Sequence, residues 1–347
     1  MKLQFRETTP QDAPEVAAFL QRIFELDPAV PLISPPHMQW KYWEPRSVWP
    51  GSRGFVLTRE DAIVAHGTVV PLSCISGQRQ LRMAHLIDWA ADPKCVGSGV
   101  NVLKHIGRLV DAIVVVGGSE MTLKVLPALG FKKWGEVTQY VRPVRPLRRL
   151  AGQRFGLRLA AQFSRSLLWA LQAPSPQTSG LTATRITPQQ LPSQAIPWPR
   201  TSGGTTIFER TADLFDYLLK CPVTPIELYS CAKGGEVRGY FLLAYAPGQT
   251  RIADFYIDSD NPRDWQALIN QAVSQATQNR QAAEVVSVGS DAVTHRALLD
   301  CGFRPRTIFP LHVQPGKGVE LAAEPVRFHM IDSDAAYHHN NKNTFWA

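Results

Sequence analysis

The chain has 347 residues, of which 44% are hydrophobic and 19% charged, a size and composition that suit two globular domains. No apolar run reaches the roughly 18–20 residues that span a bilayer, and the N-terminal residues lack a signal-peptide core, so we expect a cytoplasmic protein. The cysteines are scattered without a Cys-x-x-Cys pair, which indicates free thiols and no metal site: Cys74, Cys95, Cys221, Cys231 and Cys301.

The net charge of +8 is concentrated in the middle of the chain. Residues 137–208 contain no Asp or Glu but nine arginines, so they contribute +9 and the rest of the chain about −1. The basic segment 142–165 has two interpretations. In the first, an apolar stripe packs between the two halves and the arginines are solvated; the stripe consists of Leu147, Leu150, Phe155, Leu159, Phe163 and Leu167. In the second, the segment contacts an anionic lipid, glycan or RNA surface. Nucleic acid is the less favoured partner, because the segment lacks the interleaved aromatic residues that stack on single-stranded RNA.

The first 142 residues predict a mixed set of strands and helices. An amphipathic helix follows Thr9, which can cap it, and a short aromatic helix occupies residues 37–45. The strand over 78–92 is mostly apolar and is therefore predicted to be central. The other predicted elements are strands at 2–8, 53–61, 62–76, 112–118 and 131–143, a glycine loop at 93–99, and helices at 100–112 and 119–129.

The middle of the chain differs from both ends. Residues 143–204 predict an Arg-rich amphipathic helix or helical hairpin, followed by a Pro/Ser/Thr/Gln-rich linker. Residues 205–347 begin with a helix, continue with three strands joined by Gly turns, and then predict a long helix from Pro262, a strand, a helix and a strand. A final strand over 326–334 precedes a polar tail. Each half therefore predicts a mixed α/β sheet with helices on its faces.

Two stretches of the chain echo each other. GSEMTLKVLPALGF occupies residues 118–131, and GSDAVTHRALLDCGF occupies residues 289–303. Each follows an apolar strand, AIVVVG or EVVSVG, and each runs from Gly-Ser-acid through a helix to Gly-Phe. The same strand–helix–Gly-Phe unit is therefore present twice.

This order of elements resembles the Gcn5-related N-acetyltransferase (GNAT) superfamily. The match in the first half runs from LIDWAADPKCVGSGVNVLKHI through AIVVVGG to SEMTLKVLPALGF, and residues 205–313 match more faintly. HMQWKYWEP and FHMIDSD resemble segments of its tandem members. The resemblance implies an α/β fold with two GNAT-like acyl-CoA N-acyltransferase domains, residues 1–142 and 205–347, joined by the helical insert and linker of residues 143–204.

The glycine loop has a physical use of its own. Gly97 and Gly99 allow a ligand to approach the backbone closely, and the following helix offers unpaired N–H groups and a positive dipole end to a pyrophosphate. In the family this is the pyrophosphate of coenzyme A, whose pantetheine arm lies between two diverging parallel strands, here HLIDWAA and AIVVVGG. The resemblance implies cofactor binding by Trp89, Ala90, Ala91, Lys94, Val96, Gly97, Ser98, Gly99, Val100 and Asn101.

The loop departs from the family pattern at two positions. Val96 replaces the usual Arg and Asn101 the last Gly, which leaves Lys94 as the candidate cation for the phosphates. The second half has no such loop. Its corresponding region contains carboxylates that repel an anion, so we expect no coenzyme A there: Asp258, Asp260 and Asp264.

Asp88 and His85, on the strand before the glycine loop, are the candidate catalytic bases. They are three residues apart, so on a regular strand they point to opposite faces. Asp88 is preferred, because a lone carboxylate on an apolar strand has a raised pKa. The alternatives are that Asp88 caps or salt-bridges a neighbouring group and that His85 is a structural histidine.

The second catalytic requirement is a proton donor for the leaving thiolate. The family's usual tyrosine acid aligns with Leu126, and with Leu298 in the second half, and neither can donate a proton. Either another group or water does so, or catalysis is lost. Ser119 is expected to cap the following helix.

Three functions are compatible with these observations. The first is acyl-CoA-dependent transfer, of an acetyl group by preference, to a small amine such as an amino sugar or polysaccharide precursor, by direct attack in a ternary complex. The second is an aminoacyl-tRNA-dependent transferase of the peptidoglycan-bridge type, which the basic insert favours. The third is a non-catalytic binding protein with the GNAT fold, which Leu126, Val96 and Asn101 favour.

Overall fold

The structure is a computed structural model that describes residues 3–76, 79–150, 156–178, 180–199, 204–321 and 325–339. Its strands are β1 (Leu3–Glu7), β2 (Gly54–Arg59), β3 (Ala62–Ser76), β4 (Arg79–Ala91), β5 (Ala112–Val116), β6 (Lys132–Pro143), β7 (Leu181–Ile186), β8 (Thr206–Ile207), β9 (Ile226–Lys233), β10 (Glu236–Ala246), β11 (Gln249–Ile257), β12 (Glu284–Gly289), β13 (Arg304–Pro315) and β14 (Val326–Arg327). Its α-helices are α1 (Ala13–Phe24), α2 (Pro35–Met38), α3 (Ser98–Ile106), α4 (Glu120–Val125), α5 (Leu157–Gln172), α6 (Ala212–Leu219), α7 (Pro262–Ala276) and α8 (Ala292–Asp300).

Twelve strands form one continuous mixed sheet, in the order β1-β2-β3-β4-β5-β13-β6-β12-β11-β10-β9-β7. Parallel pairing occurs twice within it, between β4 and β5 and between β11 and β12. The last strand of each half crosses to the other: β6 pairs with β12, and β13 lies between β5 and β6. The predicted mixed α/β fold is confirmed, and its two halves are joined by this strand exchange.

The helices pack on the sheet through the apolar faces that the sequence predicts. In the first half α3 packs Val102 and Ile106 against Ala84 and Leu86 of β4. In the second half the buried face of α7 packs in the same way on β11. A separate core lies between the halves and includes Val114 of β5 together with residues of β12, β13 and the segment 326–337. Because each fully buried aliphatic side chain contributes about 1.5–3 kcal/mol, these cores hold both halves to one sheet.

Strand β4 contains a bulge that reverses which side chains face α3. Gly67 of β3 stands opposite both Asp88 and Trp89, and Asp88 has a positive φ of 48°. Before the bulge Ala84 and Leu86 face α3, and after it Trp89 and Ala91 do so. His85 and Asp88 therefore lie on the same face of the sheet. The expectation that they point to opposite faces is wrong, because it assumed an uninterrupted strand.

The arginines of the insert are less available than the sequence suggested. Arg142 is buried and donates to the carbonyl oxygens of Cys301 and Pro174. Arg145 donates to three carbonyls at the end of α7, and Arg148 to the side chain of Gln281. These three side chains therefore bind this segment to the second half. They are not available to contact an anionic partner through residues 142–165.

Other expectations about the insert and tail need correction. Leu147 and Leu167, predicted to pack between the halves, are 72% and 41% exposed, whereas Leu159 is buried. Phe155 lies outside the described residues. The segment predicted as a linker also supplies β7, the strand at one edge of the sheet. The strand predicted over 326–334 ends at Arg327, because the carboxylate of Asp332 accepts the amide of His329 and closes a 3-10 turn.

The thiols are free, as predicted, and four of the five are buried. Every helix among the described residues is too short or too polar to cross a bilayer.

Candidate functional site

Strands β4 and β5 diverge at the predicted place. Their parallel pairing extends from Met83 opposite Ala112 to His85 opposite Val114 and goes no further. Beyond that point β4 stays paired with β3, and β5 stays paired with β13. The strands therefore open into a gap, which we call the strand wedge.

The end of β5 turns away sharply from the wedge. Gly117 and Gly118 follow the strand with φ values of +62° and +116°. A Cβ atom on Gly117 would come within 3.1 Å of the Phe309 ring, so both the conformation and the space require glycine there.

Helix α3 begins beside the wedge. Gly97 precedes it with a φ of +80°, and Trp89 donates its indole N–H to the carbonyl of Gly99 at 2.9 Å. A Cβ on Gly99 would lie 3.1 Å from the Cβ of Ala91, so glycine lets the helix approach the strand. Among the described residues no acceptor pairs with the backbone amides of Gly99 and Val100. These amides and the helix dipole form a feature suited to an anion.

The other residues predicted to bind a cofactor are placed less uniformly. Lys94 and Val96 are exposed before the helix, with Val96 97% exposed. Ser98 is buried and donates its hydroxyl to the carbonyl of Val64, so this group is already used within the protein. Ala90 is buried on the opposite face from α3, and Asn101 lies half-buried in the first turn of the helix.

Asp88 is not the lone carboxylate that the sequence suggested. Its Oδ2 lies 2.8 Å from Nζ of Lys41 and accepts the Tyr42 hydroxyl at 2.9 Å. Lys41 also lies 3.4 Å from Asp334, and its side chain is only 1% exposed. Burial lowers the pKa of Lys41, but the two carboxylates outweigh burial and the pKa is raised overall, so the group is an ammonium. Asp88 therefore forms a buried salt bridge, which is one of the alternatives that the sequence left open.

Lys41 is fixed in place by the backbone around it. It belongs to a π-helical turn, Gln39–Trp43. The buried guanidinium of Arg53 closes this turn by donating to the carbonyls of Trp40, Lys41 and Glu44 at 2.7, 2.9 and 2.6 Å. Turns of this kind are wider than α-helical ones and often occur at functional sites.

His85 lies at the apex of the wedge with both ring nitrogens engaged. The amide of Val116 donates to Nε2 at 3.3 Å, so the proton is on Nδ1, which donates to the carbonyl of Asp332 at 3.0 Å. Burial lowers the pKa of His85, which keeps the ring neutral. Asp332 is in turn held by the buried guanidinium of Arg210 at 2.7 Å. The tail of the chain thus orients a histidine of the first half.

A cavity of about 200 Å³ adjoins the apex of the wedge between the two halves. We call it the central cavity. Its polar lining consists of the side chains of His85, Gln139, Ser333 and Asp334 and the backbone of Gly117 and Gly118. Apolar residues from five segments form the rest: Val116, Val137, Val288, Phe309, Phe328, Met330 and Ala335.

Leu126, which aligns with the family's usual tyrosine acid, cannot donate a proton. Leu126 is fully buried in the core around α3. Ser119 caps α4, as predicted, by accepting the amide of Thr122 at 3.1 Å. Glu120 pairs with Lys124 one turn later. The nearby polar groups of α4 therefore stabilise the helix.

The second half contains a larger cavity in the corresponding position. It measures about 620 Å³ and lies between the end of β11, the start of α7 and α8. Asp258 and Asp260 line it, whereas Asp264 pairs with Lys233 at 2.7 Å. Arg327 of the tail extends into this region, where its guanidinium pairs with the capping residue Asp291 at 2.9 Å. The chain's own tail thus occupies part of the space between β11 and β12.

Three residues of the site were not singled out from the sequence: Lys41, Gln139 and Asp334. Lys41 and Asp334 lie in two segments, HMQWKYWEP and FHMIDSD, that resemble parts of tandem GNAT proteins, so a signal existed. Gln139 lies in β6, and its side-chain oxygen is buried without a hydrogen-bond partner. No periodicity in the sequence distinguishes it, because it reaches the cavity only through the strand exchange.

No family model matches the chain, and no curated protein matches it significantly. Solved structures do. The N-myristoyltransferase of Saccharomyces cerevisiae with bound myristoyl-CoA has 12% identity and a TM-score of 0.60, over 91% of this chain and 79% of that protein. A GCN5-related N-acetyltransferase from Anabaena variabilis has 11% identity and a TM-score of 0.56, over 90% and 72%. Another from Kribbella flavida has 12% identity and a TM-score of 0.54, over 90% and 70%.

At these identities the similarity establishes the fold. The order of strands, the wedge after His85 and the two echoed units all agree with it. The chain therefore has the fold of the GCN5-related N-acetyltransferases and of N-myristoyltransferase, with two GNAT-like halves.

Proposed function

We propose that the protein is an acyl-CoA-dependent N-acyltransferase that transfers an acyl group to an amine in a ternary complex. The observation that carries the proposal is the strand wedge with the unpaired amides of Gly99 and Val100 at its outer end. Backbone groups on the open side of β4 from Trp89 onwards would pair with the pantetheine amides, as an added strand would. The start of α3 would receive the pyrophosphate.

The reaction requires little chemistry from side chains. The amine nitrogen attacks the thioester carbon, so that the C–N bond forms and the C–S bond breaks. In the course of the reaction the amine loses a proton and the leaving thiolate gains one. Neutral His85 lies at the wedge apex with its Nε2 lone pair towards the amide of Val116. We assign it as the proton acceptor, directly or through water, once the amine or the water displaces the amide of Val116 from Nε2, where that bond is long at 3.3 Å. Water in the open wedge protonates the leaving thiolate, because Leu126 cannot.

Asp88 takes a positioning role in this proposal. Its carboxylate is held by Lys41 and Tyr42, so the ion pair fixes the bulged segment of β4. The bulge turns the backbone at Asp88 and Trp89 away from the regular ladder, beside the place where the thioester carbonyl would lie. A backbone held in this way is preorganised for a developing oxyanion.

Binding of the donor is the first test. Isothermal titration of the protein with acetyl-CoA and with longer acyl-CoAs is expected to give saturable binding that weakens as salt increases. Turnover is then followed as free thiol released from acyl-CoA in the presence of amines. No heat at high micromolar acyl-CoA, with folded protein, would remove the proposal and leave a non-catalytic protein with this fold.

A near-isosteric variant makes the binding test specific. Asn101→Asp places a carboxylate in the first turn of α3, where it suits the helix dipole but repels a pyrophosphate. We expect it to keep or raise thermal stability and to weaken acyl-CoA binding at least tenfold. Gln11→Glu, at an exposed position just before α1, adds the same charge elsewhere and should change neither. Equal affinities for the two variants would place the donor elsewhere.

A further inference from the structure

The central cavity shows what kind of amine the enzyme accepts, and this inference rests on the proposed function. The cavity touches the apex of the wedge, because His85, Val116 and Gly117 belong to both. A group bound in the cavity would therefore adjoin a thioester lying in the wedge. The cavity is the place from which a second substrate could reach the reacting carbon.

The carboxylate of Asp334 is the acceptor that the cavity leaves available. Its Oδ2 is used towards Lys41, no hydrogen bond in the described chain engages its Oδ1, and the side chain is 23% exposed. The oxygen of Gln139, in contrast, is shielded by the surrounding protein and has no partner among the described residues. The hydroxyl of Ser333 donates to the Met330 carbonyl and accepts the amide of Ala335. Oδ1 of Asp334 therefore favours a ligand that donates an N–H group, which an acyl chain cannot do.

The charge of the lining points the same way. Asp334 is the one carboxylate among the described residues of the lining. Burial raises its pKa, but Lys41 and the neighbouring histidines together outweigh burial, so its pKa is lowered overall and the group is ionised. Burial lowers the pKa of His85, which keeps that ring neutral. Lys41, which faces both Asp334 and Asp88, does not line the cavity. An ammonium or amine is therefore favoured there over a carboxylate or phosphate.

The rest of the lining restricts the body of the amine. Three valines, two phenylalanines and a methionine surround the space, with few groups that could pair with the hydroxyls of a sugar. A cavity of roughly 150 Å³ with apolar walls accommodates a benzene ring. We infer that the acceptor is a small primary amine with an apolar body, of the arylalkylamine or alkylamine class, whose nitrogen is held by Asp334. This narrows the proposed acceptor away from amino sugars.

The test compares amines on the whole protein with a fixed acyl-CoA. Thiol release is measured with phenethylamine, hexylamine and glucosamine for the wild type, Asp334→Asn and Val288→Phe. Asp334→Asn removes the carboxylate charge at the same volume, and Val288→Phe fills the cavity from β12. We expect both variants to raise KM for phenethylamine about tenfold or more while acyl-CoA affinity stays within twofold. Wild type should prefer phenethylamine to glucosamine by at least tenfold.

Other outcomes separate the inference from the proposed function. If Val288→Phe leaves KM for the amine unchanged but excludes longer acyl-CoAs, the cavity holds the acyl chain and the inference is overturned. A preference for glucosamine overturns it as well. If no acyl-CoA binds, the proposed function fails, and ligand-detected NMR with phenethylamine still tests the cavity. Binding that is lost in Asp334→Asn supports the amine site, and no binding to wild type refutes it.

Discussion

Removing the buried ammonium of Lys41 should destabilise the protein severely. Lys41→Met keeps the aliphatic volume but leaves the carboxylates of Asp88 and Asp334 without a cation, at original distances of 2.8 and 3.4 Å. Breaking one side of a buried pair costs about 3–5 kcal/mol. Because the side chains of Lys41 and Asp88 are only 1% and 6% exposed, solvent offers little compensation.

Urea unfolding, followed by tryptophan fluorescence, measures this loss as a lower midpoint. The matched control is Lys220→Met, whose pair with Asp216 is just as short, 2.6 Å, but has side chains 55% and 41% exposed. That pair should contribute no more than about 0.5 kcal/mol. The double variant Lys41→Met, Asp88→Asn should recover at least about 1 kcal/mol relative to additive effects. Equal losses for Lys41→Met and Lys220→Met would refute the reasoning.

Three further predictions concern stability and thiol chemistry. Burial lowers the pKa of His37 to about 3, so the unfolded chain binds more protons below its ordinary pKa of 6.5, and stability should fall as pH drops from 6.5. The loss is about 2 kcal/mol at pH 5, and His37→Gln should flatten the pH dependence of the urea midpoint. Arg210→Leu leaves Asp254 and Asp332 buried without their cation and should lower the free energy of unfolding by about 3–5 kcal/mol. His85 should also lose its orientation, which is seen as a shift of its NMR signals; an unchanged spectrum would contradict the link through Asp332. In native protein a thiol reagent should modify at most one of the five cysteines rapidly, Cys221, because the other four are buried; two or more fast thiols would contradict this.

The first half was predictable from the sequence because its signals are local. Apolar runs identify β4 and β5, and the glycines between them mark the start of α3. The wedge follows from that order. Two expectations about Asp88 were wrong, that it faces away from His85 and that it is a lone carboxylate. The first failed because a bulge depends on register with β3, and the second because its partner Lys41 lies 47 residues earlier in a turn with no strong pattern.

The parts that the sequence did not reveal depend on long-range pairing. Gln139 and Asp334 reach the central cavity from β6 and from the tail, and only the strand exchange brings these segments beside His85. The insert was misjudged for a related reason. Arg142 and Arg145 bind carbonyl groups at helix ends more than 130 residues away, which composition alone cannot show.

The exchange of β6 and β13 has a consequence for the order of synthesis on the ribosome. When residues up to 143 have emerged, β5 has β4 on one side and an open edge on the other, because its second neighbour, β13, begins at residue 304. The nascent first half therefore carries an unpaired strand edge during translation of about 160 further residues, and such edges invite aggregation. Genetic separation of the two halves should accordingly give insoluble fragments that recover a folded protein only when they are produced together.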